Sequence, residues 1–178
     1  MKKVLLIVAY QDFQPLEYGE TKRVLEAAGI QAITGSDGAG WAAAAGTGEK
    51  ARVETVLDKV RVEDYDGVFF IGGLGALEHL DNEESYRIAR EIALTDKFFG
   101  AICIAPRILA KAGVLAGKKV TGWDGDGQLG DILKEAGAIY QPQKVVADGN
   151  LITGSGPAAA KEFGRKIAEV LNQQGQFG

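Results

Sequence analysis

Val4-Leu5-Leu6-Ile7-Val8-Ala9 is apolar at every position. A strand with one wet face alternates apolar and polar residues. A strand apolar throughout is covered on both faces, as in a parallel sheet held between helices. Lys3–Ala9 is therefore read as a buried strand. Gly67–Ile71 (Gly-Val-Phe-Phe-Ile) and Phe98–Cys103 (Phe-Phe-Gly-Ala-Ile-Cys) repeat the pattern, and Ile30–Thr34 adds a further strand. Helical segments fall between them. Leu16–Ala28 ends at Gly29, a natural helix stop, and Ile88, Ala89, Ile92 and Ala93 mark one helix face. Leu129, Ile132, Leu133 and Ala136 mark another, and Phe163, Ile167, Val170 and Leu171 follow Gly156-Pro157 as a last helix. This alternation predicts an α/β fold with a mostly parallel central sheet. The 178 residues suit a single domain, 1–178, with no internal repeat or boundary.

Three stretches are less regular. Ala51–Val60 reads as an added β-excursion. Lys144–Ala147 and Leu151–Thr153 flank Asp148-Gly149-Asn150, predicting a hairpin with a turn of about three residues. Asp37–Gly48 reads as a loop and holds much of the Gly/Ala excess of a chain whose 25 glycines are twice the ordinary frequency of about 7%.

Charge and cysteine content narrow the partners. Twenty Lys and Arg against 24 Asp and Glu give a net charge of −4, with no basic stripe to neutralise phosphates, so nucleic-acid binding is not expected. No apolar run approaches the roughly 20 residues of a membrane span, and the short N-terminal run lacks a signal-peptide cleavage site. One cysteine, Cys103, excludes an intramolecular disulfide and fits a reducing cytoplasm. With His79 the only histidine, no thiolate–imidazole zinc site is expected.

Cys103 closes an apolar strand, and a helical segment, Ala105–Ala112, follows at once. A strand–nucleophile–helix turn lifts a side chain above the sheet edge and aims backbone N–H groups at a developing oxyanion. The helix dipole is expected to lower the thiol pKa, although a lone cysteine is equally at home as a small buried hydrophobe. Gly72-Gly73, at the carboxyl end of the Gly67–Ile71 strand, lies where open α/β sheets bind ligands, or forms an ordinary tight turn. Glu17 follows the first strand and can reach the same crevice, or stand solvated in the first turn of its helix. Gly125-Asp126-Gly127-Gln128-Leu129-Gly130 matches G-x-G-x-x-G, but Asp124 and Asp126 would repel a pyrophosphate, so no dinucleotide site is expected. His79 could form a Cys–His dyad only within hydrogen-bond reach of Cys103, and a surface or capping role is the plainer expectation.

Ala101-Ile102-Cys103-Ile104-Ala105-Pro106, Gly72-Gly73 and Glu17, twelve residues before Gly29, resemble the ThiJ/PfpI superfamily. That group contains deglycases, PfpI-type intracellular proteases and stress-response glyoxalases, and is related to class I glutamine amidotransferases. The resemblance covers Lys3 to about Leu171. It implies a flavodoxin-like three-layer sandwich, a homodimer or higher oligomer, and no cofactor. It also implies Cys103 as elbow nucleophile, Glu17 as neighbouring acid, and the amides of Gly73 and Ile104 as oxyanion hole. Gly72, Trp123, Asp124, Ser155 and His79 are the further residues expected around the pocket. The chain departs from the family pattern at Ile104, where PfpI-type members carry histidine, at Ala105, where glycine is usual, and near Trp123, where deglycase-type members often keep a histidine. Peptidase chemistry is correspondingly disfavoured. The expected activity is glyoxalase- or deglycase-like, on a small carbonyl such as methylglyoxal or on a glycated protein. An oxidisable, redox-sensing or chaperone-like role for Cys103 is the alternative, and a PfpI-type peptidase the weaker one.

Overall fold

A computed structural model describes residues 1–176 of the chain. In chain order its elements are β1 (Lys3–Val8), β2 (Gln11–Phe13), α1 (Pro15–Ala27), β3 (Gln31–Ser36), β4 (Trp41–Ala44), β5 (Lys50–Arg52) and β6 (Thr55–Val56). Next come β7 (Gly67–Phe70), α2 (Ala76–His79), α3 (Glu83–Ala93), β8 (Phe98–Ile102), α4 (Pro106–Ala112), β9 (Lys119–Val120) and α5 (Leu129–Glu135). β10 (Ile139–Tyr140), β11 (Val145–Asp148), β12 (Leu151–Gly154) and α6 (Ala160–Gln174) complete the described chain.

The central sheet has seven strands in the order β11-β12-β8-β7-β1-β3-β6. Every pairing in it is parallel except the β11–β12 hairpin. Strands β3, β1, β7, β8 and β12 follow the doubly wound, flavodoxin-like order, with the topological switch between β1 and β7. Ligands of such sheets bind beyond the strand carboxyl ends at that switch, where the β1, β7 and β8 chains emerge. Helices α1 and α6 pack on each other, as do α3 with α4 and α4 with α5, so the sheet lies between helical layers.

Burial explains the unbroken apolar runs. Val4 through Ala9 are completely buried, as are Val68, Phe69 and Ile71. Each large aliphatic or aromatic side chain so placed contributes roughly 1.5–3 kcal/mol. Phe69 meets Phe163 of α6 edge to face, with centroids 5.8 Å apart. Helix starts and stops follow local chemistry. Gln14 caps α1 by accepting the N–H groups of Leu16 and Glu17, with Pro15 in the first turn. Pro106 opens α4, and Gly113 (φ +79°) closes it in the left-handed conformation.

Three expectations change. Asp37–Gly48 is not simply a loop: Trp41–Ala44 forms β4, which pairs with β2 and β5 in a separate three-stranded sheet. The alanine-rich run carries little of the β-branched and aromatic signal that marks a strand. The hairpin turn is also tighter than expected, because Asp148 pairs with Leu151 and only Gly149 (φ +59°) and Asn150 lie between. The strand expected to reach Cys103 ends at Ile102, which leaves the cysteine in the turn.

Candidate active site

Cys103 lies between the last residue of β8 and the start of α4, with φ +64°. Among the described residues only Asp12, in β2, is another non-glycine with positive φ. A left-handed backbone at a residue with a Cβ costs on the order of 1–3 kcal/mol and persists only where its surroundings impose it. Here the Cys103 N–H donates to the Gly154 carbonyl at 2.9 Å, and the Cys103 carbonyl accepts the Trp123 N–H at 2.7 Å. The side chain is left partly exposed, and the N–H groups of Ile104 and Gly73 face the sulfur.

Glu17 stands in the first turn of α1 and is completely buried. Its Oε1 accepts the Gly72 N–H at 3.0 Å, while Oε2 is buried with no hydrogen-bond partner. Its carboxyl faces the Cys103 thiol. The glycine turn after β7 makes this approach possible. A Cβ on Gly72 would lie 2.7 Å from the Cys103 Cβ, 2.7 Å from Glu17 Oε1 and 2.8 Å from the Ile102 carbonyl oxygen. Gly73 has φ +125°, and a Cβ there would stand 2.4 Å from the Gln14 nitrogen. Only glycine serves at both positions.

The two groups titrate as a pair. Burial pushes the Glu17 carboxyl up to about 7, with the thiol and the Gly72 N–H opposing it in part. Burial also pushes the Cys103 thiol up, the Glu17 charge adds to this, and the Ile104 and Gly73 N–H groups offset part of it. The pair thus releases one proton near neutrality and holds the second far more tightly. This corrects the expectation of a dipole-lowered thiol. Helix α4 is seven residues long and begins three residues beyond Cys103, so its dipole is outweighed by burial and a neighbouring negative charge.

The remaining expected residues are spread around this pair. Trp123 touches the elbow through its main chain, and its half-exposed ring lies 5.5 Å from the Arg107 guanidinium. Asp124 Oδ1 accepts the Leu129 N–H at 2.9 Å and so caps α5. Asp126 takes the Arg107 fork, and the Gly127 N–H closes a turn onto the Asp124 carbonyl, so the G-x-G-x-x-G stretch is an ordinary turn before a helix. Ser155 follows Gly154, whose carbonyl holds the Cys103 N–H. His79 ends α2 with Nδ1 2.8 Å from Asp37 Oδ2, and the thiol's polar neighbours are Glu17 and the two amides. Arg107 was not singled out from sequence, although its place one helical turn after Cys103 was a usable signal. Among the described residues no three His, Cys, Asp or Glu side chains are grouped to hold a metal ion, and no helix is long and apolar enough to cross a membrane.

Comparison with known proteins identifies what the chain and its fold resemble. A family model described as the DJ-1/PfpI family matches residues 2–170. An uncharacterised protein of Methanocaldococcus jannaschii is 34% identical over 98% of this chain and 84% of its own length. An uncharacterised Staphylococcus aureus protein is 32% identical over 96% of this chain and 98% of its own. A ThiJ/PfpI domain protein from Brachyspira murdochii superposes with a TM-score of 0.89 at 27% identity, covering 96% of each chain. Drosophila melanogaster DJ-1beta does so with a TM-score of 0.85 at 31% identity, over 96% of this chain and 90% of its own.

Proposed function

Because the chain belongs to the DJ-1/PfpI family, we propose that it is a cysteine-dependent enzyme acting on reactive aldehydes, with methylglyoxal as the type substrate. The observation that carries this reading is Glu17: a carboxyl with no exposed surface, held near neutral pKa, facing a partly exposed thiol. A carboxyl titrating near 7 is populated in both forms at physiological pH and can take up and return the same proton.

In the proposed reaction the Cys103 sulfur attacks the aldehyde carbon, forming an S–C bond. The thiol proton passes through Glu17 to the carbonyl oxygen, which gathers charge beside the Gly73 and Ile104 N–H groups and becomes the hydroxyl of a hemithioacetal, leaving Glu17 as the carboxylate. Glu17 then removes the proton from the former aldehyde carbon, and the electron pair passes through an enediol. Returning the proton to the adjacent carbon leaves a lactate-level thioester. Water cleaves the S–C bond, releasing lactate and the thiol. The sum is methylglyoxal plus water giving lactic acid, with no external oxidant or reductant. Oε2 of Glu17, which lacks a partner in the resting site, is the oxygen free to carry the proton.

Methylglyoxal turnover by the wild type, Cys103→Ser and Glu17→Gln tests the reading. The expected result is turnover that falls by about 10²-fold or more in each variant. Equal rates in all three, or none in any, overturns it. A second reading, a redox sensor, is favoured by the partial exposure of the sulfur and by its two N–H donors, which could also hold an oxidised sulfur oxygen. Mass spectrometry after mild peroxide addresses it, and a Cys103 that stays reduced removes it.

A further inference from the structure

We infer that Arg107 is a positioning residue that fixes the direction of the Ile104 N–H through the loop lying over the elbow. The guanidinium is nearly buried, with its side chain 8% exposed, and every hydrogen bond it makes goes to that loop. Nη1 donates to Asp126 Oδ2 at 2.9 Å, and Nη2 donates to Asp126 Oδ1 at 2.7 Å and to the Trp123 carbonyl at 3.3 Å. A bidentate fork of this kind fixes orientation as well as distance. The Trp123 ring, 5.5 Å from the same guanidinium, adds a cation–π contact.

The other end of the loop is tied to the elbow. The Trp123 N–H donates to the Cys103 carbonyl at 2.7 Å. A Cβ on Gly122 would lie 3.1 Å from that same oxygen and 3.3 Å from Pro106 Cγ, so the loop is seated closely. The Cys103 carbonyl and the Ile104 N–H belong to one peptide plane, and a planar trans peptide turns as a unit. Holding the carbonyl toward Trp123 therefore holds the Ile104 N–H toward the sulfur, against the tendency of a left-handed cysteine to relax. Arg107 sits on α4, rigidly attached to the elbow, and grips the loop from the far side. Each link in the series is short: Arg107, Asp126 and the Trp123 carbonyl, the Trp123 N–H, the Cys103 carbonyl, the Ile104 N–H.

The inference rests on the reading of Ile104 N–H as an oxyanion donor, and it is tested on the thiol instead of on turnover, so the two can fail separately. Iodoacetamide alkylation of Cys103 at pH 8 is measured for the wild type, Arg107→Lys and Asp126→Asn. Arg107→Lys keeps the charge and loses the fork. Loss of the Ile104 N–H raises the thiol pKa further, so alkylation is expected to slow about tenfold in both variants. Lys111→Met, which breaks the ion pair of α4 with Asp81, is expected to alkylate at the wild-type rate. Unchanged or faster alkylation in the fork variants overturns the inference, as does equal slowing in Lys111→Met. Asp126 is 30% exposed on the loop, so Asp126→Asn keeps the test open where Arg107→Lys fails to fold. In a Trp41→Phe background, Trp123 is the sole tryptophan, and its emission is expected to move to the red in both fork variants. An emission that does not move shows that the loop has stayed in place and counts against the inference.

Discussion

The Gly72 N–H donates to Glu17 Oε1 at 3.0 Å, and the missing Gly72 side chain is what lets Glu17 and Cys103 face each other. Gly72→Ala would place a methyl group 2.7 Å from both the Cys103 Cβ and Glu17 Oε1, with the Ile102 carbonyl behind it. The Ile102 carbonyl and the Cys103 Cβ belong to the elbow backbone and cannot give way, so the yielding group is the Glu17 carboxyl and the pair must separate. The expected outcome is a fall in methylglyoxal turnover of about 10²-fold, since displacement by an ångström is that costly. Overpacking adds a stability loss of about 1–3 kcal/mol, read from urea unfolding. Wild-type turnover in Gly72→Ala would show that the gap is not needed.

Glu17 also sets how stability depends on pH. Its carboxyl is raised from 4.5 to about 7 in the folded chain, so between those values the folded state holds the proton that the unfolded state has lost. Stability therefore falls as pH rises from 4.5 to about 7 and levels off above that, by about 3 kcal/mol in all. Glu17→Gln removes this slope. Urea midpoints at pH 5, 6, 7 and 8 should decline for the wild type and stay level for the variant. A wild-type midpoint that stays flat over this range means that the carboxyl is not held protonated.

Continuous apolar runs made the central strands legible, because a strand buried on both faces has no polar positions to confuse the reading. The side sheet was not legible. Ala42 and Ala44 are buried in it, yet alanine is common to helices, strands and loops. At the site, Cys103 and Gly72-Gly73 announced themselves through their places at strand ends. The chemistry of the thiol did not. The helix dipole is a local signal, whereas burial depends on the whole fold, and burial together with the charge of Glu17, already expected beside the thiol, reverses the direction of the shift. Arg107 escaped for a related reason, since its partner Asp126 is nineteen residues away on a loop whose path the sequence does not specify.

The Arg107–Asp126 pair has its own signature in acid. The Arg107 fork holds the Asp126 carboxyl down to about 2 from its ordinary 3.8. A depressed carboxyl contributes stability above its unfolded pKa and loses it as pH falls through about 2. Asp126→Asn lacks that contribution at every pH. The difference in urea midpoint between wild type and variant is expected to be constant above pH 4 and to shrink toward pH 2. A difference that persists unchanged at pH 2 would mean that the fork does not depend on charge.

His79 gives the sharpest separation between this chemistry and a cysteine–histidine hydrolase. It is the only histidine in the chain, and its Nδ1 lies 2.8 Å from Asp37 Oδ2. The same Asp37 accepts the Tyr10 N–H at 2.8 Å through Oδ1, so the ring joins α2 to the chain that leaves β1. Both side chains are about one-quarter exposed, and breaking such a pair costs up to about 1 kcal/mol. His79→Gln is therefore expected to unfold slightly earlier in urea and to turn over methylglyoxal within about twofold of the wild type. Glu17 supplies the only proton acceptor that the proposed reaction uses. A loss of about 10²-fold in His79→Gln, at unchanged stability, would instead place the imidazole in the reaction and bring back the dyad that the geometry disfavours.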